Sequence, residues 1–258
     1  MLISIITINY NNLEGLIRTM TSVLQQTYPQ IEYIVIDGGS SDGSKDYIEN
    51  HQDNIAYWVS EQDKGIYHAM NKGISQATGE YILFLNSGDM LVSKDVIKEC
   101  LPKCLNHEII CFDINVVGKD HSYIKSCPDT IRFSFLYTNT LPHQSTIIKR
   151  SLFESIGNYD ETLKIVSDWK FFIIAICKYN VSYKYISRVL SIYYLGGISS
   201  NPDNFLLMNA ERQKVLETEF SFLLNDMNEL NSLISQVDNL RRSKKIKMLI
   251  RLGFLNKF

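Results

Sequence analysis

Three carboxylates stand where this chain can do chemistry: Asp37, Asp89 and Asp168. The first to consider is Asp89. Tyr81-Ile82-Leu83-Phe84-Leu85 reads as a buried strand, Asn86-Ser87-Gly88 breaks it, and Asp89 follows at its carboxyl end. In an open α/β sheet that end is where ligands bind. A carboxylate there, on a turn permitted by glycine, meets a cation or a sugar hydroxyl; taken alone, the same turn also reads as a helix cap. Asp37 leaves the end of another apolar run in Asp37-Gly38-Gly39-Ser40-Ser41-Asp42-Gly43-Ser44. Gly38 and Gly39 let backbone approach a ligand closely, and Asp37 is placed to accept hydrogen bonds from a base or ribose. The competing reading is a tight turn in which Asp42 and Ser44 cap the next helix. Asp168 follows Ser167 at the opening of a strongly apolar helix, Lys170 to Cys177. A carboxylate at a helix's positive end stays ionised more easily, although an isolated Ser-Asp pair is also an ordinary cap.

These residues need a scaffold that brings strand ends together. Leu2 to Ile8 is a β-branched run and predicts a first strand, ending in the polar loop Asn9-Tyr10-Asn11-Asn12. Leu13, Leu16, Ile17, Met20, Val23 and Leu24 fall at helical spacing, and Tyr28-Pro29 stops that helix. Ile31 to Ile36 is a second strand, so strand, helix and strand make a βαβ unit with a parallel sheet. A third strand spans Ile55 to Val59, and a helix carries Ile66, Ala69, Met70, Gly73, Ile74 and Ala77 on one face before Thr78-Gly79 ends it. The loops after the first, second and central strands then converge on one rim. Beyond them, Glu108 to Val117 and Lys119 to Cys127 predict a hairpin, Asp129 to Leu136 a short helix, and Leu141 to Ile148 a strand carrying His143 and Gln144. Gly196 and Gly197 follow a last strand, as a mobile loop or a plain surface turn.

Composition excludes several classes. The first βα turn has no GxGxxG, which argues against a dinucleotide-binding oxidoreductase. The net charge of −2 gives no nucleic-acid signal. The five cysteines form no CxxC pair, so the expectation is reduced, mostly buried thiols in a cytosolic protein. The chain enters a strand at once, which predicts no signal peptide, and no apolar run is long enough to span a bilayer.

The chain resembles family 2 glycosyltransferases with the GT-A fold, in the branch that builds bacterial surface polysaccharides. The resemblance is carried by Ser4 to Asn11, Gln25-Gln26-Thr27-Tyr28, Ile34 to Ser44, Asp63-Lys64-Gly65-Ile66-Tyr67-His68-Ala69-Met70-Asn71-Lys72-Gly73, Ala77 to Tyr81 and Asn86-Ser87-Gly88-Asp89, in order along the first two hundred or so residues. It implies an α/β fold with a mostly parallel central sheet flanked by helices. It also implies a nucleotide-sugar donor held by Thr7, Asn9, Tyr10, Asp37, Gly38, Gly39, Asp63, Lys64, Asn86 and Ser87. Asp89 matches the element that binds the diphosphate through a divalent metal, manganese or magnesium. Asp168 matches the general base, which must be ionised and near the acceptor hydroxyl. His143 and Gln144 resemble the acceptor-side strand of the family; Trp169, next to Asp168, either faces an acceptor sugar ring or packs in the core. Two departures stand out: Asp37-Gly38 replaces the two adjacent acids of many members, and Asn86-Ser87-Gly88-Asp89 leaves a single carboxylate where the family has DxD. Magnesium often takes only one or two protein carboxylates, so metal use survives.

The expected reaction is inverting transfer from a nucleotide sugar, UDP by default, to a glycan or polyprenyl-linked acceptor. A nucleotidyltransferase on a similar fold and a non-catalytic scaffold of a polysaccharide-assembly complex are the rival readings. The domain organisation is a catalytic domain over 1–202 and a helical extension over 203–258. Near its end come Arg241, Arg242, Lys244, Lys245, Lys247 and Arg251 without an acid among them, with Ile246, Leu249, Ile250, Phe254 and Phe258 at helical spacing. A basic amphipathic helix predicts peripheral attachment to the inner face of the cytoplasmic membrane; docking on protein is the alternative.

Overall fold

The computed structural model describes residues 1–104 and 106–256; Phe258 of the tail stripe lies outside the described residues. In chain order the elements are β1 (Ile3–Asn9), α1 (Leu13–Leu24), β2 (Ile31–Asp37), α2 (Ser44–Glu49), β3 (Tyr57–Ser60), α3 (Ile66–Gln76), β4 (Tyr81–Phe84), β5 (Met90–Leu91), α4 (Val96–Cys100), β6 (Ile109–Val117) and β7 (Ser122–Lys125). There follow α5 (Phe133–Thr138), β8 (Thr146–Lys149), α6 (Ser151–Ser155), α7 (Ser167–Cys177), β9 (Tyr183–Tyr194), α8 (Phe205–Glu219), α9 (Ser221–Arg242) and α10 (Lys244–Arg251).

The β-branched run of β1 is buried along its whole length, as a central strand covered on both faces must be. β2 lies parallel to it, from Ile3 opposite Ile31 to Asn9 opposite Asp37. β4 flanks the other side, from Ile3 opposite Tyr81 to Ile6 opposite Phe84. β3 then sets Ser60 beside Asp37. These parallel registers bring the ends of β1, β2 and β4 to one rim. One face of the sheet packs Leu16, Met20 and Val23 of α1. The other packs Tyr67, Met70 and Ile74 of α3 with Phe171 and Phe172 of α7.

The strand order is β3-β2-β1-β4-β8-β6-β9-β5, with β7 on β6. The sheet is mixed rather than mostly parallel. β8 runs antiparallel to both β4 and β6, whereas β6 and β9 are parallel. The parallel half is the βαβ portion with its crossover helices; β6 and β8 pair antiparallel and need no such crossover. Two expected elements move. His143–Ser145 is a single 3₁₀ turn, not strand, and the strand starts at Thr146. The short helix starts at Phe133 rather than Asp129.

The cysteine expectation is corrected at one place. Cys111 and Cys127, with Cα atoms 6.4 Å apart, are paired as a disulfide. The antiparallel register that puts Ile114 opposite Lys125 carries Cys127 back beside Cys111. Cys100 is a buried residue and Cys177 a half-buried one, both outside this disulfide.

The chain divides into two compact units, Met1–Glu211 and a second beginning at Arg212. In the second unit α9 is long, and all the charged residues of α10 are basic. Among the described residues no helix is long and apolar enough to cross a membrane.

Candidate active site

The rim holds two polar centres, one at the end of β2 and one around the turn after β4. Asp37 is fully buried, and its two oxygens are crowded with donors. Oδ1 accepts from Asn9 Nδ2 at 2.8 Å and Ser40 Oγ at 2.6 Å. Oδ2 accepts from the Ser40 amide at 2.9 Å and Ser60 Oγ at 2.6 Å. Burial pushes the carboxyl pKa up, but the bonds from Ser40, Ser60 and Asn9 outweigh it and hold Asp37 below its ordinary value. Asp37 therefore braces the loop, and the acceptors without a chain partner lie beside it. Asn9 Oδ1 and Asp63 Oδ2 are buried and meet no donor of the chain.

Asp63 is held from its other oxygen, where His68 Nδ1 lies at 2.8 Å and the Lys72 ammonium pairs at 2.6 Å. Gly38 forms the floor between Tyr10 and Asp63. A Cβ on it would stand 3.2 Å from Tyr10 Cδ2 and 3.4 Å from Asp63 Oδ2. The Tyr10 ring is 69% exposed, an aromatic face open to a flat ligand. Gly39 has a left-handed φ of +78°, and Lys64 is exposed. Thr7 instead points inward: its hydroxyl donates to the Leu85 carbonyl at 2.8 Å and accepts from Tyr33 at 3.0 Å. It ties β1 to the root of the Asn86 turn.

That turn needs Gly88 in the left-handed region, at φ +108°. Thr19 Oγ1 donates to the Asp89 carbonyl at 2.6 Å, and the Gly88 amide donates to the same hydroxyl at 3.0 Å. Asn12 Nδ2 donates to the Ser87 carbonyl at 3.1 Å. The Asp89 carboxyl is buried, and burial pushes its pKa up to about 7 against the weaker pull of His143 and a hydrogen bond from Gln144. A carboxylate in that condition fits a divalent cation, which would replace the lost solvation. Among the described residues no cluster of three or more His, Cys, Asp or Glu surrounds it.

Asp168 stands at the N-terminus of α7, on the side of the rim next to this turn. Its Oδ1 accepts from the Tyr67 hydroxyl at 2.9 Å, and its Oδ2 lies 3.2 Å from His143 Nδ1. His143 Nε2 in turn lies 3.2 Å from Asn86 Nδ2. Burial works to raise the Asp168 pKa; the interactions with His143 and Tyr67 and the helix's own N–H outweigh it, so the group stays ionised. The loop that delivers it is pinned by Glu211, which accepts from the amides of Lys164 at 2.7 Å and Ile165 at 3.0 Å. An ionised carboxylate at the rim can take a proton from a hydroxyl brought beside it.

The structure therefore brings Asn86, Asp89, His143, Gln144 and Asp168 into one cluster and gathers Asn9, Tyr10, Asp37, Gly38 and Asp63 in another. Ser87 lies on the turn itself. Trp169 is outside both: it is 1% exposed, and its indole N–H donates to the Leu136 carbonyl at 2.6 Å. Two residues had no sequence-level role. Tyr67 was one of the motif residues, but nothing in its spacing points across 101 positions to Asp168. Arg18 donates to the Gly88 carbonyl at 3.4 Å and lies 4.4 Å over the Tyr194 ring. Arg18 is the one basic residue of that helix, and it also pairs with Glu14 one turn earlier at 3.2 Å. The Gly196-Gly197 loop follows Tyr194 and Leu195, and the Gly196 amide donates to Ser200 Oγ at 3.1 Å.

Comparison with known proteins accords with this geometry. The family model described as "Glycosyl transferase family 2" matches residues 4–168. The "Uncharacterized glycosyltransferase Rv1514c" of Mycobacterium tuberculosis H37Rv is 37% identical over 179 residues, 67% of this chain and 68% of that protein. Among solved structures, S. aureus TarS 1-349 in complex with UDP-GlcNAc superposes with a TM-score of 0.66 at 18% identity, over 84% of this chain and 71% of that one. Against another crystal structure of S. aureus TarS 1-349, this chain spans 60% of that chain's length. The mannosyltransferase PcManGT of Pyrobaculum calidifontis, in complex with GDP-Man and Mn2+, gives a TM-score of 0.59 at 15% identity over 95% of this chain and 82% of that one. At these identities the structures are evidence for the fold.

Proposed function

The chain belongs to glycosyl transferase family 2, and from that membership we propose that it moves a sugar from a UDP-sugar donor to a hydroxyl of a glycan or lipid-linked glycan, with inversion at the anomeric carbon. The observation that carries the reading is the ionised Asp168 held between Tyr67 and His143, one side chain away from the turn that bears Asp89. In this reading the nucleoside lies on Tyr10 and Gly38, and the unmatched acceptors Asn9 Oδ1 and Asp63 Oδ2 take its N–H or O–H donors. The diphosphate lies along Asn86 to Asp89. Asp89 would hold a divalent cation, which when bound offsets the charge of the departing diphosphate. Asp168 accepts the proton of the attacking hydroxyl as the new glycosidic bond forms. TarS and PcManGT, solved with UDP-GlcNAc and with GDP-Man and Mn2+, support a nucleotide-sugar donor and a metal.

The acceptor class rests on the tail and on the motif resemblance to enzymes of bacterial surface polysaccharides. The α10 segment carries Lys244, Lys245, Lys247 and Arg251 with Ile246, Leu249 and Ile250 between them. This suits the surface of an anionic inner leaflet, where lipid-linked sugars would be met.

The test is Asp168→Asn. It keeps size and capping but cannot accept a proton, so transfer should fall by roughly 10²–10⁴-fold while donor affinity holds. Thermal shift against a panel of nucleotide sugars, with and without manganese, identifies the donor, since binding raises stability with ligand concentration. Transfer by the variant at near the parent rate would refute the assignment.

A further inference from the structure

We propose that His143 is a positioning residue that fixes the orientation of the Asp168 carboxylate and couples it to the turn Asn86–Asp89. The inference rests on the reading of Asp168 as the base and adds a role that a resemblance to acceptor-side residues does not contain.

The chemistry of the neighbours sets the state of the ring. Asn86 presents its Nδ2, which only donates, to His143 Nε2 at 3.2 Å. Nε2 therefore accepts, and Nδ1 carries the proton that faces Asp168 Oδ2 at 3.2 Å. Both ring nitrogens are engaged within the chain, so the ring acts through Asp168 and Asn86 rather than on a substrate hydroxyl.

His143 is also rigidly mounted. It opens a 3₁₀ turn closed by the Ser145 amide on the Pro142 carbonyl at 2.9 Å. Thr146 Oγ1 donates to the same carbonyl at 2.8 Å, and Ser145 Oγ is 2.6 Å from Ser191 Oγ on β9. Three elements thus meet at one ring: the exit of β4 through Asn86, the turn before β8, and the N-terminus of α7. A carboxylate with two equivalent oxygens can rotate; here Tyr67 of α3 holds Oδ1 and His143 holds Oδ2. Catalytic groups need such support to stay within a fraction of an ångström of the productive pose.

Among the described residues, Asp89 also feels the charge of His143, so its own titration enters the pH profile beside that of Asp168. Tyr159, buried, is near enough to feel the Asp168 charge, and the backbone N–H of Trp169 supports the carboxylate from α7. Of these, His143 and Tyr67 do most to hold the group ionised against burial. Removing the His143 proton donor should therefore let burial raise the Asp168 pKa, and the acid limb of the rate profile should move to higher pH.

Two substitutions separate the two contacts. His143→Asn can keep a donor where Nδ1 stands but loses the reach to Asn86. His143→Gln can keep the contact to Asn86 but loses the donor to Asp168. Expected for His143→Gln is a kcat lower by about tenfold or more, a fraction of what a general base contributes, a donor KM within a few-fold of the parent, and an acid limb moved upward. His143→Asn should keep the parent's acid limb. Thermal unfolding midpoints accompany both. An unmoved limb in a folded His143→Gln, or identical losses in both variants, overturns the proposal. If neither variant folds, ¹⁵N-histidine NMR of the parent decides. The Nδ1–H tautomer at neutral pH supports the proposal and the Nε2–H tautomer overturns it. Asp168→Asn runs alongside: a dead Asp168→Asn with an unmoved His143→Gln limb sinks only the positioning role, whereas an active Asp168→Asn sinks the base assignment itself.

Discussion

Replacing Asp89 with asparagine should make the metal-free chain more stable at neutral pH while removing its metal-dependent affinity for donor. The Asp89 carboxyl titrates near 3.8 when the chain is unfolded and at about 7 when it is folded. The folded value is the raised one, so between those two pH values the native state keeps a proton that the unfolded state has lost. Stability therefore falls as pH climbs from about 4 to 7, and levels off above. A gap of about three units at about 1.4 kcal/mol each gives an upper figure of about 4 kcal/mol lost by pH 8. Asparagine has no such titration. Its amide must be seated where a carboxyl met Gln144, which takes back about 1–3 kcal/mol. We expect Asp89→Asn to exceed the parent by about 1–2 kcal/mol at pH 8 and to gain nothing near pH 5. Urea unfolding at both pH values, with chelator present, measures the difference. Calorimetry with UDP and manganese should show the parent binding and the variant not. A variant with the parent's pH slope, or one that still binds nucleotide with metal dependence, refutes the reasoning.

Two further outcomes follow from the rim and the tail. Gly38→Ala puts a methyl 3.2 Å from Tyr10 Cδ2 and 3.4 Å from Asp63 Oδ2; nucleotide affinity should drop by about tenfold, about 1.4 kcal/mol, and calorimetry reads it. A chain ended after Leu240 should stop co-sedimenting with anionic liposomes yet keep donor hydrolysis, and the intact chain should detach as salt rises. An intact chain that ignores liposomes at low salt would make α10 a protein-docking helix.

Much of the first half was legible because its signals are local. The β-branched run of β1 and the 3.6-residue spacing of α1 each decide an element by themselves, and Gly88 marks its turn. Asp89 and Asp168 could be singled out because both sit where an element begins or ends. What was not legible depends on pairing across long separations. β6 meets β9 in parallel with two register shifts, so no periodicity announces a mixed sheet. Tyr67 reaches Asp168 only because α3 and α7 cover the same face. Trp169 and Thr7 show the converse. Each adjoins functional positions in sequence, but helix rotation and strand pleat turn both side chains inward. Cys127 meets Cys111 through a hairpin register that spacing alone does not reveal.

The two oxygens of Glu211 matter to anyone who shortens this protein. They receive the amides of Lys164 and Ile165, the approach to α7 and hence to Asp168. A fragment stopped at 202, where composition first changes, would keep every motif residue yet remove the anchor of the segment that carries the carboxylate. Two backbone amides would then have to find water. The first compact unit accordingly runs to Glu211 and takes in the start of α8.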